Sequence, residues 1–381
     1  MKSKIIILIL VVFVISTTLL GCGKTGNIKT PGQSINIETP DGSIPFITLV
    51  PESVNNENVK KAYLNFWDLK NGKIIQTDKV VYTVTQTTDI KSEQASYERY
   101  NGDRPLYWDG KDCIILPSFS FFKIPKQIYK RTETVDISKE MLNGFLVIDR
   151  LIFGKDVEMK RIATGDERDY KYTVKLWDGE KYVEKELNLN YEFQDTNSQP
   201  SYPIAIGNDG TNLNILVSGG YNPQTGMDLF LCTVDKGNWA IKWNKISVEE
   251  DAGLSPGKSS DSTTSVYFDG SFYVPSGCCS IAKVDIEERI CSRWKKIVAS
   301  ERSEEDIGYY ASILGSFNDM IIAQFIILKG AGNDHYIYAF KNGEKVGMMH
   351  LVNGNVEIMD KDGNVLSTTT LNKNSSIVFP K

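Results

Sequence analysis

Paired turn residues are the feature that most limits the folds open to this chain. Asn71-Gly72, Asp109-Gly110, Asp178-Gly179, Asp209-Gly210, Asp269-Gly270, Asn342-Gly343 and Asp362-Gly363 recur along it. Asn-Gly and Asp-Gly supply the positive φ of a tight two-residue turn at little steric cost. Between such pairs lie short runs of period two. Trp239, Ile241 and Trp243 alternate with Ala240 and Lys242, and Ala282, Val284 and Ile286 alternate with Lys283 and Asp285. That alternation marks half-buried strands. The chain therefore reads as all-β, and the aspartates of these pairs read as turn residues rather than catalytic acids.

The hairpins fall into pairs: 203–219 with 228–246, 265–275 with 281–297, and 310–328 with 336–351. Each pair makes a four-stranded meander. The segment Leu64-Asn65-Phe66-Trp67-Asp68-Leu69-Lys70-Asn71-Gly72-Lys73 resembles the end of a WD40 or PQQ-like propeller blade, where Trp-Asp closes a strand before a glycine turn; Val174-Lys175-Leu176-Trp177-Asp178-Gly179 is a shorter echo. The Gly-His pair that opens a WD40 repeat is absent, because the only histidines are His335 and His350. The resemblance implies a β-propeller-like body of about five to seven four-stranded blades. It also implies that segments 35–50 and 356–379 pair to close the ring. Asp209, Asp269 and Asp319 recur at unequal intervals, so the repeat is degenerate. Val59, Ala62, Tyr63, Phe66 and Trp67 also fit a helical stripe, an alternative placement for the first Trp-Asp. Asp136 to Gly144 reads as a short capped helix inserted between blades.

The amino-terminal segment carries a different signal. Lys2 and Lys4 precede an uncharged, mostly aliphatic run from Ile5 to Leu20, which ends in Leu19-Leu20-Gly21-Cys22. A basic start, an apolar middle and small residues at the cleavage point make a secretory signal. The run is shorter than the ~20 residues a spanning helix needs. Its ending resembles the lipobox of bacterial lipoproteins. That resemblance implies cleavage between Gly21 and Cys22, a diacylglyceryl group with further acylation such as palmitate on Cys22, and a body facing the extracytoplasmic side of the cell membrane. Two acyl chains hold a protein stably at a membrane. The expected organisation is a signal peptide over residues 1–21, a flexible Gly/Thr/Lys-containing tether over 22–34 and the β domain over 35–381.

Composition excludes some partners. The formal net charge is −5, and Lys and Arg form no cluster. Nucleic-acid binding therefore lacks its electrostatic footprint. Besides Cys22 there are five cysteines, Cys113, Cys232, Cys278, Cys279 and Cys291, an odd number without the even spacing of a disulfide framework. With a hairpin turn at Glu287-Glu288, Val284 faces Cys291 and Cys279 faces Lys296, so a cross-strand bridge is disfavoured and free thiols are expected. Adjacent cysteines also lack tetrahedral zinc spacing.

Catalytic signatures are missing. There is no phosphate-binding glycine loop, zinc-protease helix or nucleophile elbow. His335 reads as a surface or hairpin residue and His350 as a strand residue. Asp360, Asp362 and Asn364 match part of a calcium loop, but Ile358 stands where another ligand is needed, so a plain hairpin turn is expected. Glu249-Glu250-Asp251 and Glu304-Glu305-Asp306 read as solvated loops. No metal or cofactor is expected. The sequence thus points to a lipid-anchored extracytoplasmic binding or scaffold protein that docks a protein partner or an envelope glycan. The alternatives are a polysaccharide hydrolase with paired carboxylates and a structural envelope or spore-associated protein.

Overall fold

The computed structural model describes residues 39–54, 57–86, 107–108, 114–116, 127–130, 133–136, 141–142, 145–146, 148–154, 156–163, 170–178, 181–189, 200, 202–254, 265–276, 280–296, 306–329, 332–352, 354–371 and 376–380. The signal segment, Gly21, Cys22 and the tether lie outside them, as do Cys113, Cys278 and Cys279.

The described residues form antiparallel meanders. Strands β1 (Ser43–Val54), β2 (Glu57–Asp68) and β3 (Lys73–Gln86) make the first. Strands β4 (Tyr107–Trp108), β5 (Ile114–Leu116), β6 (Gln127–Lys130) and β7 (Glu133–Asp136) make the second. A hairpin of β8 (Met141–Leu142) and β9 (Phe145–Leu146) follows. Next come β10 (Ile148–Gly154), β11 (Val157–Ala163), β12 (Tyr170–Trp177) and β13 (Tyr182–Leu187). Two further meanders are β14 (Tyr202–Asn208), β15 (Asn212–Asn222), β16 (Gly226–Asp235) and β17 (Ile241–Val248), then β18 (Val266–Phe268), β19 (Ser271–Ser276), β20 (Ser280–Asp285) and β21 (Ile290–Lys296). The last run holds β22 (Asp306–Phe317), β23 (Met320–Lys329), β24 (Gly332–Lys341), β25 (Glu344–Val352), β26 (Asn355–Met359) and β27 (Val365–Thr370). Finally β28 (Ser376–Val378) returns to pair with β1.

This arrangement corrects the propeller expectation. The sheets are unequal, with eight, six, four, four, four and two strands, rather than a ring of uniform four-stranded blades. The eight-stranded sheet arises because β17 pairs in parallel with β21 over Ser247↔Ile290 and Val248↔Cys291. The Ser247 and Glu249 amides donate to the Arg289 and Cys291 carbonyls at 2.9 Å each, fusing two meanders. The six-stranded sheet arises because most of segment 356–379 adds strands β26 and β27 to β25. Only Ser376–Val378 reaches β1, so the expected pairing of the two terminal segments is present but short.

The inserted helix is also overturned. Asp136 pairs with Gln127 at the end of β7, and Leu142 pairs with Phe145. An Asn-Gly step between apolar residues serves a hairpin as well as a helix end. The only helical element among the described residues is a single 3-10 turn, Glu250–Ala252. The Trp-Asp segment, by contrast, is strand and not helix: Trp67 and Asp68 end β2.

The turn pairs act as expected where they are described. Both central residues of Asp269-Gly270 (φ 46 and 69) and Asn342-Gly343 (φ 49 and 76) are left-handed, which matches the right-handed twist of the flanking strands. Carboxylates reinforce the turns. Asp285 Oδ1 accepts from the Glu287 and Glu288 amides, and Asp235 Oδ1 from the Gly237 and Asn238 amides.

Central strands are buried on both faces, so their sequences are continuous apolar runs rather than alternations. In β16, Phe230, Cys232 and Val234 pack toward β10–β13, while Met227, Leu229 and Leu231 pack toward β18–β21. The eight-stranded sheet therefore closes on itself, with its two halves face to face. In β23, Ile321, Ala323 and Phe325 meet β18–β21, while Met320 and Ile322 meet the sheet of β1–β3. Each fully buried side chain of this size contributes roughly 1.5–3 kcal/mol. The core between the β1–β3 sheet and the six-stranded sheet joins Ile44, Phe46, Trp67 and Ile74 to Ile337, Met349, Ile358 and Phe379.

Candidate functional site

A cleft of about 330 Å³ opens where the β2–β3 turn meets the outer strands of the six-stranded sheet. Trp67, Leu69 and Gly72 form one side; Lys345, Val346 and Gly347 of β25, Ile358 and Met359 of β26, and Asp360, Lys361 and Leu366 complete it.

Two carboxylate-pinned turns hold its walls. Asp68 Oδ1 accepts from the Asn71 amide at 3.0 Å and Oδ2 from Asn71 Nδ2 at 2.7 Å. The Asn71 side-chain bond, more than any other contact, holds the Asp68 carboxyl below its usual range. Asp360 is pinned in the same way, accepting from the Asp362 amide, the Asn364 amide and Asn364 Nδ2 at 2.9 Å each. These bonds, the one from the Asn364 side chain foremost, lower its pKa as well.

Glycines let the two sheets approach. Gly72 has φ +58, and a Cβ there would lie 2.4 Å from Leu366 Cδ1. A Cβ on Gly347 would lie 2.7 Å from Leu69 Cδ2 and 3.0 Å from Trp67 Cζ2. The approach is fixed by Ser367 Oγ donating to the Gly72 carbonyl at 2.6 Å and Gln76 Nε2 donating to the Thr370 carbonyl at 3.3 Å.

The lining of the cleft is mostly apolar, and its charged residues are Lys345, Asp360 and Lys361. Val346, Val365 and Leu366 are 38, 51 and 54 % exposed, and the only other exposed large apolar side chain among the described residues is Val80. Val346 and Leu366 line the cleft, and Val365 is next to it in sequence. Trp67 is fully buried, and its indole Nε1 has no hydrogen-bond partner. The ring atoms that a Cβ on Gly347 would meet are Cζ2 at 3.0 Å and Cε2 at 3.6 Å, so the indole packs directly under this glycine.

The histidines lie elsewhere. His335 is half-buried on β24, with Nδ1 3.4 Å from Gln324 Nε2. His350 stacks on Tyr336 (centroids 4.4 Å apart, planes at 6°), with Nδ1 3.1 Å from Glu357 Oε2 and Nε2 3.8 Å from Asp334 Oδ1. Tyr336, His350 and Glu357 are direct cross-strand neighbours on β24, β25 and β26. A Glu357-oriented imidazole could present Nε2 as a base, but that atom is buried. We read the group as a packed cross-strand cluster.

The partial calcium loop is a hairpin turn whose Asp360 oxygens are spent inside it. No group of three or more His, Cys, Asp or Glu that could hold a metal occurs among the described residues. Glu249, Glu250 and Asp251 are exposed around the 3-10 turn. Cys232 and Cys291 are buried free thiols, each pushed up to about 12 by burial. The register Val284↔Cys291 is as expected, but Ser280 rather than Cys279 faces Lys296, because a bulge between Ile281 and Ala282 shifts the ladder by one residue. Sequence reasoning singled out Trp67 for its blade resemblance and missed Gly347, Val346 and Leu366. Adjacent apolar Val365-Leu366 just after a turn was the available signal.

No family model and no curated protein match the chain. Membership of a lipoprotein family, and the palmitate it implies, therefore gain no support. Among solved structures the chain is similar to a hypothetical selenium-binding protein from Sulfolobus tokodaii (9% identity, 88% of this chain and 97% of that one, TM-score 0.32). It is also similar to AztD from Citrobacter koseri (10%, 88% and 97%, 0.31) and to Sqt1 from Saccharomyces cerevisiae (8%, 82% and 82%, 0.33). At these scores the likenesses carry no argument about fold or function.

Proposed function

We propose that this protein is a non-catalytic docking protein of the extracytoplasmic membrane surface, which binds a protein partner through the cleft between β2 and β25–β27. One observation carries the reading: two of the four exposed large apolar side chains among the described residues, Val346 and Leu366, line this cleft from different strands. Clustered exposed apolar surface marks interaction sites, whereas scattered single residues do not. A protein partner fits better than a glycan. Sugar rings stack on exposed aromatic faces, and the aromatic residue of this cleft, Trp67, is fully buried.

The test is comparative co-purification from detergent-solubilised membranes of the native host. The wild-type chain is expected to retain a partner that Leu366→Asp and Val346→Asp lose. Recovery of the same proteins by wild type and both variants refutes the reading. Retention at the membrane through a diacylglyceryl Cys22 is the second part of the proposal. Cys22→Ala is expected to leave the precursor uncleaved and without lipid. A wild-type intact mass matching an unmodified Cys22 overturns the anchor without touching the cleft.

A further inference from the structure

Independently of the docking reading, we infer that the gap between β1 and β22 is a strand-accepting slot that takes residues 376–380 from a second copy of this chain, so that two copies exchange these segments.

The slot is shaped for one short strand carrying one aromatic knob. β28 meets β1 at Ile47↔Val378, Thr48↔Ile377 and Leu49↔Ser376. The chain then reaches β22, where the Ser316 amide donates to the Pro380 carbonyl at 2.9 Å. The β22 wall makes room for that carbonyl. Gly315 stands at a bulge, and a Cβ there would come within 1.8 Å of the Pro380 oxygen. Between the walls Phe379 is fully buried, with its ring centroid 5.5 Å from that of Phe46 and 6.5 Å from that of Trp67. Main-chain bonds hold an extended segment and the aromatic pocket sets its register, the two parts of recognition by strand addition.

The walls are held without the occupant. β1 pairs with β2 from Ser43 to Val54, and β22 pairs with β23 from Asp306 to Phe317. The occupant has a much shorter ladder. The chain before it is anchored as far as Leu371, which is buried in the same core and donates its amide to the Gly354 carbonyl at 3.1 Å. Residues 376–380 can therefore leave by a local opening that keeps β27 in place. The same five residues of a second copy make the same contacts in the vacated slot. The choice between a chain's own segment and a foreign one then rests on concentration rather than on fit. Exchange in both directions closes the pair, because each copy gives one segment and receives one. Self-recognition commits the slot to a second copy: Ile377, Val378, Phe379 and Pro380 are the residues its contacts already fit.

The test uses two full-length chains, one with Thr48→Cys and one with Ile377→Cys, mixed over a range of concentrations and then oxidised. Paired residues on adjacent strands are close enough for a disulfide. An exchanged segment should give an inter-chain link between positions 48 and 377, read by peptide mass, whose yield rises with concentration. Phe379→Ala adds a sign. On the chain with Ile377→Cys it weakens the donated segment, and the link should fall about tenfold. On the chain with Thr48→Cys it loosens that chain's own occupant, and the link should rise. Phe379→Leu keeps an apolar knob and should move the link in the same two directions by less, which separates loss of the knob from loss of folding. No inter-chain link at any concentration, or a link indifferent to which chain carries Phe379→Ala, overturns the inference. Capture of a synthetic peptide spanning 376–380 without any link between chains also overturns it, since the slot would then serve another partner.

Discussion

Gly347→Ala is the sharpest test of how the cleft is built. The added Cβ would sit 2.7 Å from Leu69 Cδ2 and 3.0 Å from Trp67 Cζ2, both well inside the 3.5–4.0 Å of a relaxed carbon contact. Leu69 is only partly buried and its tip can swing away. Trp67 cannot move so easily, because it is fully enclosed and packs on Phe379 with ring centroids 6.5 Å apart. Overpacking of this kind costs about 1–3 kcal/mol. Replacing glycine also restricts the unfolded chain and returns about 0.4–1 kcal/mol. The clash outweighs the entropy gain, so a net destabilisation of roughly 1–2 kcal/mol is expected from those two ranges. Urea unfolding should show a lower midpoint at unchanged slope. A cycle with Leu69→Ala separates the two neighbours: if Leu69 carries part of the clash, the pair should couple by at least ~0.5 kcal/mol. A Gly347→Ala protein as stable as wild type, with no coupling to Leu69→Ala, would refute the close approach of the two sheets at this point.

The carboxylates, the thiols and the chain end give further outcomes. The Asp68 pKa is lowered from 3.8 in the folded chain, so its contribution is present above the unfolded value and is lost as pH falls through the lower folded value. Asp68→Asn should therefore flatten the acid limb of stability below about pH 4, measured by urea midpoints across pH; an unchanged acid limb contradicts the Asn71 contacts. Cys232 and Cys291, with thiols raised to about 12, should resist alkylation at pH 8 in the native protein and react once it is unfolded, as read by peptide mass. Native labelling at either site would contradict their burial. Gly315→Ala should destabilise strongly, because its Cβ would overlap the Pro380 carbonyl oxygen at 1.8 Å, a backbone atom that cannot rotate aside. Thermal unfolding measures it, and an unchanged midpoint would show that Pro380 is not held there.

Local structure was legible where the physics is local. The turn pairs and the period-two runs give the hairpins and the Val284↔Cys291 register, because a two-residue turn dictates which residues face each other. The bulge that moves Ser280 opposite Lys296 has no such signature. Assembly of hairpins into sheets was not legible. Two hydrogen bonds from Ser247 and Glu249 turn two meanders into one sheet, and nothing in their sequence distinguishes them from loop amides. The cleft was half legible. Trp67-Asp68 stood out as a strand end, but its opposite wall comes from residues almost three hundred positions away, joined by the Ser367–Gly72 hydrogen bond.

The pairing of β1 with β28 sets a timetable for folding. β1 lies between β2 and residues 376–378, and Phe379 packs on Phe46 with ring centroids 5.5 Å apart. Any synthesis or export machinery that has released the chain only as far as residue 375 has released a β1 with one edge bare and Phe46 short of its ring partner. Such long-range pairing is slow to form, and the half-made edge is a site for unwanted strand addition. The sheet that carries Trp67 is begun at β1 and completed only by β28, so the wall it gives to the cleft matures after residues 376–378 have been delivered.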